Sequence, residues 1–519
     1  MRGMFVSVMV RHAVNRIVYM RFTHFHLCCQ YRTHSKGKTV TNSSTAVTLI
    51  PGDGVGPEVV ESARRIVDAS GVKITWELHE AGAEVFKKGL ATGVPEDTIT
   101  SIEQTRVVLK GPLATPVGFG EKSANVTLRK LFETYANVRP VREMPGVPTP
   151  YSGRGIDLVI VRENVEDLYA GIEHMETPDV AQTLKLISRK GCEKIVRLAY
   201  ALAEAENRTN VACATKANIM KFSEGMLKRT FEEIALEHPE IDSWHVIVDN
   251  CAHQLVKRPE QFEMIITTNM NGDILSDLTS ALVGGLGFAP SANLGTDVAI
   301  FEAVHGSAPK YAGKDTINPS AMILSAVLML RHIGELEAAS SIENSVMATL
   351  ASGIRTRDVI GDEGSVGTRA FTDAVINNLG QSVSAWAARP VKKIKMPVPN
   401  KAASLVHPDV VELIGVDVFI QTEESPEVVG AAATAVADGS AFELKMVECR
   451  GTQVWPPIRA QLDPTDVMRA RFITRDSVVT DADVLDLLAR VDQRFSWVHV
   501  EKLRMFDGEP SFSRAQGES

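Results

Sequence analysis

The chain has 519 residues, of which 44% are hydrophobic and 23% charged, a balance typical of globular proteins. The formal net charge is −9, and positions 1–40 carry seven basic residues and no acid, so the remainder stands at −16. An acidic body of this kind argues against general nucleic-acid binding, and no apolar run of roughly 18 residues predicts a membrane span.

The first 40 residues have the composition of a targeting segment. Arginine, lysine and apolar side chains alternate there, and the first acidic residue of the chain is Asp53. Organelle transit peptides are basic and poor in acids. We therefore expect a mitochondrial transit peptide at 1–40 and a protein of the mitochondrial matrix; a disordered tail or a misassigned start codon are the alternatives.

Beyond residue 45, strand-like and helix-like runs alternate. A short apolar run at 46–50 leads through the glycine-rich turn 51–57 into a helical pattern. Pro57 and Glu58 stand where the dinucleotide fingerprint would continue to its third glycine, so we predict a tight turn and no Rossmann fingerprint. Further strands are predicted at 107–109, 158–161, 211–214, 245–248 and 264–267, and helices at 191–207, 221–237 and 320–333. This alternation indicates an α/β fold with parallel strands.

A second unit follows a break in the pattern. Residues 387–408 contain four prolines, with Lys392, Lys393 and Lys395 among them, and are predicted to be a linker. After it, a strand, a helix and a strand occur twice within 409–519. That order predicts a C-terminal α/β two-layer sandwich of the split type.

Three arginines, Arg129, Arg139 and Arg162, each stand beside an apolar run. The guanidinium group is a rigid two-pronged donor that suits carboxylates, so three of them suit a tri-anionic ligand. The alternative is that each arginine is a surface or ion-pair residue.

Two aspartates, Asp273 and Asp277, are four residues apart at a predicted helix start and project from one face. Adjacent carboxylates repel unless a cation lies between them. With Asp249, which follows the strand 245–248, they form an all-oxygen set suited to Mg²⁺ or Mn²⁺. A pair of solvated surface carboxylates is the alternative.

Several strings occur in a fixed order: GPLATPVG at 111–118, SANVTLR at 123–129, VRPV at 138–141, VRENVEDLYAGIE at 161–173, KANIMK at 216–221, NGDILSD at 271–277 and HGSAPKYAG at 305–313. Over about 46–385 the chain resembles the isocitrate and isopropylmalate dehydrogenase family. The extension after 408 resembles that of the longer members known from thermophilic bacteria, which carry an added C-terminal domain.

The resemblance implies the fold of that family, with a large and a small α/β domain. The large domain would comprise 41–134 and 284–386. The small domain would comprise 135–283 and include a clasp that joins two subunits. The linker 387–408 and the add-on domain 409–519 would follow.

The resemblance also implies a reaction, the oxidative decarboxylation of isocitrate to 2-oxoglutarate and CO₂. Tyr169 and Lys216 would be the acid–base pair. Lys216 would take the proton of the substrate hydroxyl, and Tyr169 would donate a proton to the substrate carbon. Lys216 and Asp249 would come from the neighbouring subunit of a homodimer, and higher oligomers are compatible with this. The substrate would be bound by Lys110, Ser123, Asn125, Arg129, Arg139 and Arg162. The metal would be held by Asp249, Asp273 and Asp277.

Within the family, a polar Ser123 and Asn125 favour isocitrate over the branched alkyl substrate, because a hydrogen-bonding site rejects an analogue that lacks the polar group. Lys310 and Tyr311 resemble the pair that contacts the 2′-phosphate, which favours NADP over NAD. Some NADP members add a Tyr and an Arg further on; here Arg355 and Arg357 occupy that region in an uncertain register. The remaining cofactor contacts implied are Leu113, Thr115, Glu302, His305, Gly306, Ile317 and Asn318.

The alternatives are an NAD-dependent enzyme, a sister enzyme for isopropylmalate, homoisocitrate or tartrate, and a non-catalytic regulatory subunit. Regulatory subunits lose the metal aspartates or the lysine–tyrosine pair, and all five residues are present here. Residues 409–519 carry no visible ligand motif, which favours a strut for the oligomer over an effector-sensing module.

Overall fold

The computed structural model describes residues 44–114, 123–387, 392, 394, 396, 397, 406–459, 462–475, 479–516 and 518. The predicted transit segment 1–40, Thr115 and most of the predicted linker lie outside these residues. Among the helices that are described, none is both long and apolar enough to cross a membrane.

One ten-stranded sheet runs through the first part of the chain. Twelve strands lie in this part: β1 (Thr45–Ile50), β2 (Ile74–Leu78), β3 (Val107–Lys110), β4 (Ala136–Arg142), β5 (Asp157–Glu163), β6 (Glu173–Met175), β7 (Ala181–Thr183), β8 (Asn210–Thr215), β9 (Asp242–Ile247), β10 (Met264–Thr267), β11 (Pro290–Leu294) and β12 (Ala299–Ala303). The sheet has the order β2-β1-β3-β12-β11-β4-β5-β10-β8-β9, and β6 and β7 form a separate hairpin.

The sheet is parallel at both ends and antiparallel in the middle. Each of the six strands predicted from the sequence pairs in parallel with at least one neighbour. The antiparallel pairs are β12–β11, β11–β4 and β4–β5, which a uniformly parallel prediction did not include. β11 and β12 are joined by the short turn 295–298, too short for a parallel crossover.

Helices cover the sheet. They are α1 (Gly56–Ala69), α2 (Ala83–Lys87), α3 (Glu96–Thr105), α4 (Ala124–Leu131), α5 (Arg189–Ala205), α6 (Ser223–Ala235), α7 (Val248–Lys257), α8 (Asn269–Leu282), α9 (Ser320–Ile333), α10 (Leu336–Ala351), α11 (Arg357–Ile360) and α12 (Thr368–Asn377). α5 shows why they form: Ser188 caps its first turn by accepting from Gly191 N, and Ile195, Ala199 and Leu202 lie buried on one face. Burial of a side chain such as Leu202 stabilises the fold by about 2 kcal/mol.

The glycine-rich turn before α1 packs against backbone. A Cβ on Gly54 would lie 2.0 Å from the carbonyl oxygen of Ser307, at a φ of +61°. Val55 N donates to the same oxygen at 2.9 Å. The turn therefore needs glycine for close approach to the loop that begins at His305.

The C-terminal residues form the predicted two-layer sandwich. The elements are β13 (Val411–Gln421), α13 (Pro426–Ala437), β14 (Phe442–Cys449), β15 (Thr452–Trp455), β16 (Val467–Thr474), α14 (Asp481–Asp492), β17 (Ser496–Phe506) and β18 (Glu509–Pro510). The sheet order is β15-β14-β16-β13-β17-β18, with antiparallel neighbours throughout. Two strand–helix–strand units are thus confirmed, and β15 and β18 are short additions that the sequence pattern did not predict.

Candidate active site

A row of polar side chains crosses the middle of the large sheet. Lys110 and Glu302 are register partners on β3 and β12, and Asn137 pairs in register with both Asn293 and Arg162 on its two sides. Strand residues in register share a face, so these side chains line up over the antiparallel centre. Polar groups buried in this number indicate a binding site rather than a packed core.

The three predicted arginines converge beside this row. Arg139 and Arg162 come from the neighbouring strands β4 and β5, and Arg129 comes from α4. Arg129, Arg139 and Asn125, which were predicted to bind substrate, line a cavity of about 380 Å³. Four predicted cofactor residues also line it: Leu113, Glu302, His305 and Gly306. The structure therefore brings together the substrate-side residues that the sequence motifs suggested.

Asparagines hold the arginines in place. Arg139 donates from Nε to Asn137 Oδ1 at 2.8 Å and from Nη1 to Ser276 Oγ at 2.5 Å. Arg162 donates twice to Asn269 Oδ1, at 2.9 and 2.7 Å. Burial and the neighbouring Arg162 lower the pKa of Arg139 to about 10, which leaves it charged at neutral pH. Asn137, Ser276 and Asn269 were missed, although Asn137 precedes Arg139 by two residues on one strand and so had to share its face.

The carboxylate of Glu302 forms part of the cavity wall. It pairs with Lys110, accepts from Arg129 Nη2 at 3.1 Å and accepts from Asn293 Nδ2 at 2.8 Å. Burial alone would raise the pKa of Glu302, but the adjacent cations Lys110 and Arg129 lower it instead. Lys110 Nζ also donates to Gly111 O at 3.2 Å. Lys110 therefore supports Arg129 indirectly, through the Glu302 carboxylate that both cations contact.

Two polar atoms that helix α4 presents at the cavity have no hydrogen-bond partner among the described residues. They are Asn125 Oδ1 and Arg129 Nε, and both are buried. Both side chains lie on α4, four positions apart and hence on one face. Ser123 stands at the N-cap position of α4 without capping it, so its hydroxyl remains available. Unsatisfied buried polar groups of this kind are what a polar ligand would complete.

Tyr169 faces the two aspartates of α8 that are predicted to bind the metal. Its hydroxyl donates to Asp273 Oδ2 at 2.6 Å, and the Arg162 guanidinium lies 5.0 Å from its ring centre. Burial and the hydrogen bond to Asp273 raise the pKa of Tyr169, so its proton is retained at neutral pH. Burial opposes ionisation of Asp273, but Arg162, Tyr169 and Arg139 together lower its pKa.

The two aspartates of α8 point to the same place. Arg139 Nη1 lies 3.5 Å from Asp273 Oδ1 and 3.7 Å from Asp277 Oδ1. α8 approaches β5 closely because Gly272 has no side chain: a Cβ there would lie 2.6 Å from Arg162 Cβ. Two carboxylates beside an open cavity form a donor set that fits a hard divalent cation.

Lys216 and Asp249 form a second group. Lys216 Nζ donates to Asp249 Oδ1 at 2.6 Å, and both side chains are partly or largely exposed. The ligand oxygens of Asp249, Asp273 and Asp277 do not come within 4.8 Å of one another as a set in the described chain. One chain therefore assembles Asp273, Asp277 and Tyr169, but it does not bring Asp249 into the same set.

A larger cavity of about 850 Å³ adjoins the first. His305 lines both cavities, and the larger one is also lined by the predicted residues Tyr311, Ile317 and Asn318. Lys310 lies with Tyr311 in a short turn at its rim, where Ala308 adopts a left-handed φ of +40°. Arg357 of α11, one of the two arginines whose register was uncertain in the sequence, also lines this cavity.

His305 is oriented by its own loop. Its Nδ1 lies 3.0 Å from Gly306 O, while Nε2 is buried without a partner among the residues described. Burial lowers the pKa of His305, so the ring is neutral at pH 7. Thr316 Oγ1, in the same cavity, is likewise buried and unpaired. These groups could bind the polar parts of a nucleotide cofactor.

Comparison with known protein families matches residues 46–375 to the isocitrate/isopropylmalate dehydrogenase family. The chain belongs to this family. Residues 411–518 match a second family, described as the bacterial isocitrate dehydrogenase C-terminal domain. The resemblance drawn from the motifs, and the added domain expected from it, are thereby confirmed.

Relatives in the isocitrate/isopropylmalate dehydrogenase family cover nearly the whole chain. "Isocitrate dehydrogenase [NADP]" of Thermus thermophilus is 59% identical over 94% of this chain and 98% of its own length. The protein of the same name from Rickettsia bellii is 39% identical over 91% of this chain and 99% of its own. A crystal structure of a protein from Thermus thermophilus superposes with a TM-score of 0.90 at 59% identity, covering 92% of this chain and 97% of that one.

The predicted mitochondrial location is wrong. Relatives that match this chain across both of its parts come from Thermus and Rickettsia, which are bacteria and have no mitochondria. The composition of 1–40 was a misleading signal, because a short basic stretch without acids is compatible with more than one origin.

Proposed function

We propose that this protein catalyses the NADP-dependent oxidative decarboxylation of isocitrate to 2-oxoglutarate and CO₂. The observation that carries the proposal is that two cavities share His305, one lined by Arg129 and Arg139 and a larger one lined by Tyr311 and Arg357. Arg139 also reaches Asp273 and Asp277, and Tyr169 donates to Asp273. The name shared by the bacterial relatives supports the same substrate and cofactor.

The substrate's three carboxylates would be bound by the arginine cluster. Arg129, Arg139 and Arg162 supply the charge, and each is held by partners that leave donors for a ligand. Ser123 and Asn125 would hydrogen-bond the carboxylate that an alkyl analogue lacks, which favours isocitrate over isopropylmalate. Lys110 supports this wall through Glu302.

The proton transfers are assigned to Tyr169 and Lys216. Oxidation requires a base for the hydroxyl proton of the substrate, and Lys216 of the partner subunit would accept it at Nζ. Loss of CO₂ leaves an enolate, whose carbon takes a proton from the hydroxyl of Tyr169. The raised pKa of Tyr169 suits this role, because the group stays protonated until the carbon becomes basic.

Asp273 and Asp277, with Asp249 of the partner subunit, would hold Mg²⁺ or Mn²⁺. When bound, such a cation polarises the new ketone and stabilises the enolate. The all-oxygen donor set fits a hard cation better than a thiophilic one. Arg162 and Arg139 stabilise the negative charge of Asp273, and Tyr169 donates a hydrogen bond to it. These contacts explain how the site tolerates two adjacent carboxylates.

The cofactor would occupy the larger cavity, where NADP accepts the hydride. Lys310, Tyr311 and Arg357 would contact the 2′-phosphate, and His305, Ile317 and Asn318 the rest of the nucleotide. Leu113, Glu302 and Gly306 line the smaller cavity, which shares His305 with the larger one. Thr115, which lies outside the described residues, remains a predicted cofactor contact.

We further propose a homodimer with shared sites. Exposed apolar side chains lie beside both groups of site residues. Ile219 is 69% exposed near Lys216, and Ile274 is 61% exposed between Asp273 and Asp277. Burying such residues against a second copy would be favourable and would bring Lys216 and Asp249 to Asp273. The hairpin of β6 and β7 would serve as the clasp.

The domain division is part of the proposal. A boundary between β11 and β4 separates the large domain (41–134 and 284–386) from the small domain (135–283). The cleft between them would close on substrate and exclude water. The linker 387–408 and the strut-like domain 409–519 complete the chain.

The test is reduction of NADP by the full chain with isocitrate and Mg²⁺, followed by absorbance at the NADPH band. We expect turnover that stops on chelation and resumes with Mg²⁺. Turnover with isopropylmalate instead of isocitrate would favour the sister enzyme, a preference for NAD would overturn the cofactor assignment, and no turnover with any of these would favour a regulatory subunit.

A further inference from the structure

We propose that His174, Glu176 and His499 form a binding site for a divalent transition-metal ion such as Zn²⁺. His174 and Glu176 belong to the hairpin of β6 and β7, and His499 lies on β17 of the C-terminal domain. An ion bound there would join the two parts of the chain. This site is separate from the proposed Mg²⁺ site, and its ligands come from different elements.

The spacing of the three side chains fits an ion. Their candidate ligand atoms all lie within 4.8 Å of one another. Glu176 Oε1 lies 3.1 Å from His174 Nε2 and 3.6 Å from His499 Nδ1. Ligands about 2.0–2.1 Å from a tetrahedral Zn²⁺ stand roughly 3.3 Å apart, so small side-chain shifts would complete the coordination.

Glu176 is the strongest sign of a missing partner. Its side chain is only 2% exposed, and Oε2 is buried without any hydrogen-bond partner among the residues described. A buried carboxylate oxygen left unsatisfied costs free energy, and a cation removes that cost. The two imidazoles do not remove that cost, because they approach only Oε1 and leave Oε2 without a partner.

His499 is oriented as a metal ligand would be. Its second ring nitrogen, Nε2, lies 3.4 Å from Glu501 Oε1, and the edge of its ring meets Phe419 at 85° and 4.9 Å. A ligating histidine commonly donates its other N–H to a carboxylate, which fixes the ring and its tautomer. Glu501 would play that part here.

A fourth donor is available on the hairpin. Gln182 pairs in register with His174 across β6 and β7, so both side chains project from one face. Its Oε1 is buried and also lacks a hydrogen-bond partner in the described part of the chain. Two imidazoles, a carboxylate and a neutral oxygen suit Zn²⁺ and other borderline transition ions better than Mg²⁺.

A second cluster on the molecule provides a matched control. Glu204, His238 and Glu240 also lie within 4.8 Å of one another, but both carboxylates are exposed. In that cluster no ligand oxygen is both buried and unpaired, as Glu176 Oε2 is. Substitution there should leave the proposed site intact.

The experiment titrates ZnCl₂ into the full chain by calorimetry, with Mg²⁺ in large excess to occupy the active site. The variants are His174→Gln, His499→Gln and Glu501→Gln, with His238→Gln as control. We expect one Zn²⁺ per chain in the wild type and the control, and affinity at least tenfold weaker in the two ligand variants. Glu501→Gln keeps all the ligands but loses the carboxylate that orients His499, and it should bind about tenfold more weakly.

Co²⁺ gives an independent measurement, since its visible d–d absorption becomes stronger when a protein holds the ion in a four- or five-coordinate site. We expect a band in the wild type that is absent in His499→Gln while the Tm of that variant without metal stays near the wild-type value. The proposal would be overturned if the wild type and both ligand variants bound Zn²⁺ with equal affinity, or if no Zn²⁺ bound in the presence of excess Mg²⁺. Either result would leave a hydrogen-bonded His–Glu cluster.

Discussion

The ammonium of Lys216, directly after β8, lies 2.6 Å from the carboxylate of Asp249 in the first turn of α7. Tyr169 and Asp273 form a separate pair, also at 2.6 Å. The oxygens of Asp249, Asp273 and Asp277 do not meet as a set within the described residues. The two pairs therefore behave as halves of one site that a single chain does not join, and this separation suggests the first prediction.

Complementation between two inactive variants should restore activity. Tyr169→Phe disables one half-site and Lys216→Met the other, so a mixed dimer contains one site with both wild-type residues. Co-expression in equal amounts should recover about a quarter of the wild-type rate, since half of the dimers are mixed and half of their sites are intact. The measurement is NADP reduction by the mixture against each variant alone. If the mixture is as inactive as its parents, the residues act within one chain.

Replacing Tyr169 by Phe should lower kcat by about a hundredfold or more and change KM for isocitrate little. The hydroxyl donates to Asp273 and would protonate the carbon, and general acid catalysis typically contributes factors of this size. Tyr151→Phe is the matched control, because that ring stacks near Arg154 far from the arginine cluster. Steady-state kinetics of both variants decide the matter, and an unchanged kcat for Tyr169→Phe would remove Tyr169 from the mechanism.

Asp277→Asn should weaken the response to Mg²⁺. The substitution removes one of two adjacent carboxylates on α8 while Asp273 keeps its contacts with Arg162 and Tyr169. We expect the Mg²⁺ concentration for half-maximal activity to rise about tenfold or more, from the loss of one charged ligand. Asp297→Asn, in the exposed turn after β11, is the control. A normal Mg²⁺ response in Asp277→Asn would place the metal elsewhere.

Lys310→Ala should raise KM for NADP about tenfold or more and leave the weak use of NAD unchanged. A charge-assisted contact with the 2′-phosphate is worth about 1.5–3 kcal/mol, and NAD has no such phosphate. Lys314→Ala, on the same exposed loop but not among the predicted cofactor contacts, should have little effect. Equal losses with both cofactors would show that Lys310 acts on shape or stability instead.

Glu163 should make the protein less stable as pH rises. Burial raises its pKa from 4.5 to about 7, although Val165 N and Glu166 N donate to it. A carboxyl with a raised folded-state pKa contributes stability below pH 4.5 that is lost as pH rises through 7, up to about 3 kcal/mol. Glu163→Gln should flatten this dependence between about pH 5 and pH 8 in urea unfolding. An unchanged slope would mean that Glu163 is already ionised in the folded protein at the acidic end of this range.

Much of the fold follows from local pattern. β10 (Met264–Thr267) and α9 (Ser320–Ile333) coincide with their predicted bounds, because apolar runs and helical periodicity are local properties. β4 was not predicted as a strand. It alternates arginines with apolar residues and contains Pro140, which the sheet tolerates because pairing with β11 ends at Val138.

The candidate site was predictable in its charged residues but not in their support. Arg129, Arg139, Arg162, Tyr169 and the aspartates stand in strings that point to a family. Asn269, which holds Arg162, and the pairing of Lys110 with Glu302 depend on strands distant in sequence. Only the sheet order reveals such contacts. The glycine-rich turn is a local feature whose spacing argued against a dinucleotide fingerprint, and in the structure it packs against the backbone of Ser307.

The most direct test of the proposed function is the stoichiometry and specificity of one reaction. The full chain is supplied with isocitrate, NADP and Mg²⁺, and NADPH, CO₂ and 2-oxoglutarate are measured together, with isopropylmalate and NAD as alternative reactants. We predict equal amounts of the three products, a kcat/KM at least about a hundredfold higher for isocitrate than for isopropylmalate, and a clear preference for NADP. NADPH formed without CO₂, or a preference for isopropylmalate, would contradict it.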